Sequence, residues 1–164
     1  MRLWHKDLID VLPRQQLLGQ WREWFAIAKN IQEIGTPNHI LVNRIMDHGL
    51  NDFLVYGFMV YQELKRRGYK VDFSKFSEYM ANGFYIRQLE EDPTIYVISG
   101  SKIGSSSYTE HYIHADTLFY FWHNEEYLDE CYYNLREKWH CGGISDKDWK
   151  KIEEKYWQLL EEYE

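Results

Sequence analysis

From Arg14 onward the apolar positions recur at helical spacing. Leu17, Leu18, Trp21, Phe25, Ala28 and Ile31 fall three or four residues apart, which predicts one long helix over about 14–34. Pro13 suits a place just before or at its first turn, and Gly35 followed by Thr36-Pro37 ends it. Residues 1–13 carry no such period and read as an extended or loosely turned arm. Residues 35–50 read as a connection with a short helical piece near 38–46. A second stripe, Leu54, Phe58, Tyr61 and Leu64, predicts a helix over 51–67, with Asn51 as its N-cap and Gly68 as its stop.

The second half is less regular. Residues 73–89 read as another helix, broken at Asp92-Pro93. TIYVISG (94–100) is β-branched and aromatic, so it reads as a strand, with a small strand pair near 94–113. SGSKIGSSS (99–107) has the composition of a flexible loop and lacks a P-loop lysine–serine pattern. Tyr127, Leu128, Cys131 and Leu135 mark a helix over 124–138. HCGGIS stops it, and Ser145 starts the last helix with Asp148 in the third position of a capping box. Trp149, Ile152, Tyr156, Leu159, Leu160 and Tyr163 continue its stripe. The expected fold is mainly α: a single domain over 1–164, with an arm and helices in 1–70 and an acidic, aromatic-rich helical extension in 71–164.

Composition changes this picture in one respect. The net charge of −7 disfavours a nucleic-acid partner if read as an average, but the charge is unevenly spread. Through residue 70 there are ten Lys and Arg against seven Asp and Glu; beyond it there are nine against nineteen. A local basic face, not the total, governs phosphate binding, and that face falls in the first half. Aromatic residues make up 18% of the chain, enough to fill a core and to leave rings for stacking on bases. Charges at Arg2, Lys6 and Asp7 interrupt any leader-like run, and no apolar stretch is long enough to cross a bilayer. A cytoplasmic location, no membrane association, and two free thiols at Cys131 and Cys141 are therefore expected.

Several kinds of chemistry can be weighed. His111, His114, His123 and the His140-Cys141 pair are conceivable zinc ligands, but there is no HExxH and no paired CxxC, so no metal site is assigned. No GxSxG elbow is present, and Cys131 lies on an apolar stripe. The Lys65-Arg66-Arg67 turn complements the helix dipole; contact with phosphate is the other reading. The first long helix has a second face containing Gln15, Gly19, Arg22, Glu23, Ala26 and Asn30. A mid-helix glycine costs about 1 kcal/mol relative to alanine, so Gly19 is a place where something can approach closely. The short arm can fold back across this same face.

The stretch RLWHKDLIDVLPRQQLLGQWRE resembles the pyrimidine-dimer DNA glycosylases, the endonuclease V family first known from phage T4. The likeness rests on Arg2 beside the chain start, the LPRQQLLGQ run with Gln15, and the Arg22-Glu23 pair. FLVYGFMVYQELKRRGYKV resembles the family's helix that ends in a basic turn and glycine, and GTPNHILVN suits a bacterial branch. The likeness covers residues 1–70 and little beyond.

The resemblance implies a helical DNA-repair enzyme that acts on double-stranded DNA without a cofactor. Met1 would supply its α-amine as the nucleophile for sugar C1′, forming a Schiff base, and β-elimination would nick the strand. Glu23 would assist. Arg2, Gln15, Arg22, Arg44, Lys65 and Arg66 would contact DNA, with Trp4, His5 and Asn43 around the pocket. An α-amine has a pKa near 8 and keeps a neutral, nucleophilic fraction at physiological pH. The sequence departs from the phage pattern at Arg2, which is bulky where the phage enzyme presents threonine, and at Ala26, where the family has a further arginine. Two other readings stay open: a non-catalytic nucleic-acid- or protein-binding module on the same helices, and an enzyme of another class built on the His-rich segment.

Overall fold

The computed structural model describes residues 2–34, 40–79, 84–101 and 106–163. The predicted long helix is present as α1, Arg14–Ile34. It is followed by α2, Ile40–His48, and α3, Leu50–Arg66. A short α4, Phe73–Ser77, leads to three strands: β1 Phe84–Gln88, β2 Ile95–Gly100 and β3 Thr109–His114. The chain closes with α5, Glu125–His140, and α6, Asp146–Tyr163. A mainly α fold is therefore correct, with a small sheet in the second half.

Three expectations need correcting. The arm is not simply extended, because Lys6–Val11 form a 3-10 helix, with the His5 ring accepting from the Asp7 amide at its start. Asn51 is not the cap of α3: that helix begins at Leu50, and Gly49 precedes it at φ 86°, a left-handed conformation that glycine adopts without penalty. The helix expected over 73–89 stops at Ser77. FYIRQ pairs antiparallel with IYVISG, from Phe84 opposite Gly100 to Gln88 opposite Tyr96. β2 then pairs antiparallel with β3, giving three strands in the order β1-β2-β3. Cross-strand pairing outweighs the local helical pattern here.

Gly68 does stop α3. It takes φ 86°, its amide bonds to Lys65 O, and the Tyr69 amide bonds to Leu64 O, which closes the helix as a Schellman motif. Ser145 caps α6 by accepting from the Asp148 amide at 3.1 Å.

The core centres on Trp24 of α1, which is fully buried and stacks on Phe53 at 4.7 Å between ring centroids. Its indole N–H donates to Phe53 O at 2.9 Å. The ring lies so close to α3 that a β-carbon at Gly57 would stand 2.4 Å from Trp24 Cε2. Glycine at 57 is thus what lets α1 and α3 meet here. The inner face of the sheet adds Ile86 and Ile98 to the core, and the Tyr96 hydroxyl donates to Gln62 of α3 at 3.0 Å. α5 and α6 pair through stacked rings, Tyr132 on Tyr156 and Trp139 on Trp149.

The arm is part of this core. Leu3, Leu8 and Leu12 are essentially inaccessible to solvent, and fully burying each contributes roughly 1.5–3 kcal/mol. Bulky residues stand at the start of the chain because they are packing residues. α6 packs against the 3-10 helix of the arm, where Lys155 pairs with Asp10 at 3.2 Å. Cys131 is buried and Cys141 exposed, both as free thiols, and burial pushes the Cys131 thiol up to about 11. Among the described residues, no helix is long and apolar enough to cross a membrane.

Candidate active site

Between the arm, α1 and α5 lies an open cleft of about 550 Å³. Arg2, Trp4, Gln15, Gly19, Arg22 and Glu23 line it from the arm and α1, and Asn134 and Lys138 line it from α5. A β-carbon at Gly19 would meet nothing within 4 Å, so this glycine faces open space rather than a neighbouring helix. The polar face of α1 is thus a cleft wall, and the arm does fold across it.

The arm is held by side chains acting where a neighbouring strand would otherwise supply hydrogen bonds. The Arg2 amide donates to Glu23 Oε2 at 2.8 Å. The Gln20 side chain reads the next two peptide units: Oε1 accepts from the Trp4 amide at 2.7 Å, and Nε2 donates to Arg2 O at 2.9 Å. The Tyr56 hydroxyl lies 2.6 Å from Trp4 O and 2.9 Å from Gln20 Oε1, sharing its one hydrogen between them. Tyr127 of α5 donates to Leu3 O at 2.6 Å, and the Lys6 amide donates to His123 Nδ1 at 2.9 Å. Burial pushes the phenols of Tyr56 and Tyr127 well above the usual range, so both remain donors.

His5 lies outside the cleft. It is fully buried, stacks on His123 at 5.2 Å, and accepts from the Asp7 amide through Nδ1 at 3.1 Å. Its Nε2 is 3.1 Å from Asn124 O. One nitrogen must accept and the other donate, which is the neutral imidazole with its hydrogen on Nε2. Burial is the main cause that lowers its pKa to about 4, against the opposing charge of Asp7.

Of the other residues expected at the site, Trp4, Arg2, Gln15, Arg22 and Glu23 converge on the cleft. Asn43 and Arg44 are exposed on α2. Arg44 sits over the Trp122 ring at 5.7 Å and lines a neighbouring concavity of about 290 Å³ with Tyr127 and Glu130. Lys65 and Arg66 do not line the Glu23 cleft. Arg66 and Arg67 both bond to the buried Glu63, and Arg67 also donates to Leu12 O and Asp10 O. Burial acts to raise the Glu63 pKa, but the two arginine hydrogen bonds outweigh it and hold the carboxyl low. Met1 lies outside the described residues.

His111 and His114 are three apart on β3, so they point to opposite faces of the sheet. Among the described residues, no three His, Cys, Asp or Glu side chains are grouped to hold a metal ion. A further concavity of about 360 Å³, lined by Trp24, Phe53, Leu54, Tyr79 and Phe84, is largely apolar and has no carboxylate among its lining residues. Other concavities also combine carboxylates with cations, but the Glu23 cleft is the one lined by the arm and the polar face of α1.

A family model described as pyrimidine dimer DNA glycosylase matches residues 1–77. The likeness to that family thus covers a little under half of the chain. The match supports a DNA-repair glycosylase acting on DNA. No curated protein and no solved structure gives a significant match. The glycosylase segment contains the arm, α1, α2, α3 and α4, and so one wall of the cleft; the opposite wall comes from outside it. Gln20, Tyr56, Tyr127, Asn134 and Lys138 were not apparent from the sequence. Gln16, Gln20 and Glu23 are spaced as one helical face, which was the available sign for Gln20. The others depend on long-range packing.

Proposed function

We propose that the protein releases damaged pyrimidines, pyrimidine dimers foremost, from double-stranded DNA and then nicks the strand at the resulting site. The observation that carries this reading is the 2.8 Å hydrogen bond from the Arg2 amide to Glu23 in an open cleft, within the residues matched to the family. Two carbon atoms separate the α-nitrogen of residue 1 from the Arg2 amide nitrogen. Standard bond lengths keep the two nitrogens within about 4 Å of each other. The nucleophile is thus tethered to an atom that is itself bonded to the carboxylate.

The neutral amine attacks C1′, and the base departs with the glycosidic electron pair and takes up a proton. Loss of one proton from the attached ammonium, then ring opening with protonation of O4′, gives the protonated Schiff base, which keeps the other amine hydrogen. Removal of a C2′ proton then expels the 3′ phosphate, and water releases the amine. With Glu23 Oε2 engaged by Arg2, Oε1 is the oxygen that accepts the amine proton and faces the positive charge developing at the sugar. Arg2, Gln15 and Arg22 contact the strand in the cleft, Arg44 is left to the flanking duplex, and Arg66, its donors taken by Glu63, is left to the fold. Damaged bases stack poorly, which lowers the cost of exposing them.

Borohydride added during turnover of ultraviolet-irradiated duplex DNA should trap a covalent adduct on Met1. Glu23→Gln should slow base release by roughly 10²–10⁴-fold while leaving the dissociation constant within about threefold. Acetylating the α-amine should abolish trapping and spare binding. Base release that survives acetylation would exclude the amine. A Glu23→Gln variant as fast as the parent would remove the carboxylate from the chemistry.

A further inference from the structure

The far wall of the Glu23 cleft is made by α5, beyond the residues that match the glycosylase family. Asn134 and Lys138 lie four positions apart on that helix, so their side chains share one face. Asn134 is fixed by donating to Glu130 O at 2.8 Å, whereas Lys138 is exposed.

Two observations in the cleft point to an anion. Glu23 is the one carboxylate among its lining residues, and it is already engaged by the Arg2 amide. Among the described residues, no carboxylate pairs with Arg2, Arg22 or Lys138, although Lys6, Arg66, Arg67 and Lys155 all have acidic partners. In addition, the Arg2 guanidinium rests over the Trp4 ring at 5.1 Å, and its Nη1 is buried without a hydrogen-bond partner. A buried guanidinium N–H without an acceptor is costly. Arg2 also lines the open cleft, and a phosphate oxygen there suits the rest of its guanidinium, which binds phosphate through directed, charge-assisted bonds. Lys138 reaches into the same space from the opposite wall.

We infer that the cleft seats a DNA backbone phosphate held by Arg2 from the arm and by Lys138 from α5, making α5 part of the substrate-binding surface. This rests on reading the cleft as the place where DNA is processed. It explains how a chain with an acidic second half still contributes to binding DNA: the extension supplies a lysine at the point where the duplex must pass. It also gives the arm a further task, since Arg2 bonds Glu23 through its backbone and leaves its side chain for the phosphate.

The test uses the full chain and a fluorescent, ultraviolet-irradiated duplex, with binding followed by anisotropy over a range of salt. Lys138→Ala should weaken binding by roughly three- to tenfold and reduce the slope of log K against log salt by about one. Lys138→Arg should restore the slope. Lys151→Ala, which removes an equal charge from an exposed position on α6, should stay within about twofold of the parent. Neutral methylphosphonates are then placed one at a time along the damaged strand and its complement. A single position should erase the difference between the parent and Lys138→Ala. If Lys138→Ala keeps the parent's affinity and slope, or if no methylphosphonate position couples to it, the assignment is overturned. The catalytic reading fails separately, by an inert parent protein on the same duplex, whatever Lys138 does.

Discussion

The cations at the end of α3 and those around the Glu23 cleft are the same residue types in opposite surroundings. At the α3 end, Arg66 and Arg67 converge on Glu63, which is 7% exposed, and Arg67 extends to two carbonyls of the arm. Their charge is neutralised locally and their donors are occupied by the fold. In the cleft, Arg2, Arg22 and Lys138 have no acidic partner among the described residues, and the one carboxylate is bonded by a backbone amide instead. A basic run in sequence is therefore a poor guide to where phosphate binds. What matters is whether a carboxylate has already claimed the donors. The α3 end uses its arginines to join the arm to a helix, and the cleft keeps its cations for something outside the chain.

Both regions depend on the arm, so the largest expected effect comes from loosening it. His5 is held neutral by burial, with its pKa lowered to about 4 from an ordinary 6.5. Above pH 6.5 it is neutral in both the folded and unfolded chain, and its contribution is fully present. As the pH falls from 6.5 to 4 the unfolded chain takes up the proton first. Folding should lose up to about 3 kcal/mol over that window and nothing further from this group below it. Urea unfolding at pH 7, 5.5 and 4 measures the loss. His5→Gln should flatten that part of the profile. An equal slope in the variant would show that the acid sensitivity lies elsewhere.

A smaller effect separates the two cation clusters directly. Glu63→Gln should remove on the order of 2 kcal/mol from stability, because charge-assisted bonds to two arginines are lost at a buried position. It leaves the cleft intact, so trapping by borohydride at saturating DNA should be unchanged once the protein is folded. Thermal unfolding and single-turnover trapping, measured on the same preparation, give the two numbers. A large fall in trapping without a fall in stability would mean that the α3 end belongs to the catalytic region after all.

How far the sequence reaches follows the range of the interactions involved. α1 was legible from Leu17 to Ile31 because its stripe is local, and Gly68 and Ser145 were legible because caps are decided within a few residues. β1 was not: FYIRQ is short, and its partner IYVISG lies several residues further on. The cleft was half legible. Arg2, Gln15, Arg22 and Glu23 all come from the arm and α1, where sequence neighbours become spatial neighbours. Gln20 is only a letter in LPRQQLLGQ, because a buried glutamine makes sense only once two arm peptides lie against it. Tyr127, Asn134 and Lys138 reach the site over more than a hundred residues of chain, and no local pattern announces that. His5 was expected near the chemistry; what its surroundings require is a neutral ring inside the core.

The smallest and most discriminating measurement compares Arg22 with Arg66. Both are exposed arginines near the surface of the glycosylase segment, but Arg66 spends its donors on Glu63. Arg22→Ala should cost about 1 kcal/mol of DNA affinity and lower the salt slope by about one, with little change in thermal stability. Arg66→Ala should do the reverse: destabilise the α3 end modestly and move the salt slope by far less than one. Anisotropy titrations at several salt concentrations, paired with thermal melts of each variant, resolve both. Equal slopes for the two variants would mean that duplex DNA extends over the α3 end as well as the cleft, and that the Glu63 pairs yield to phosphate when it does. The distinction between structural and functional cations would then hold only for the free protein.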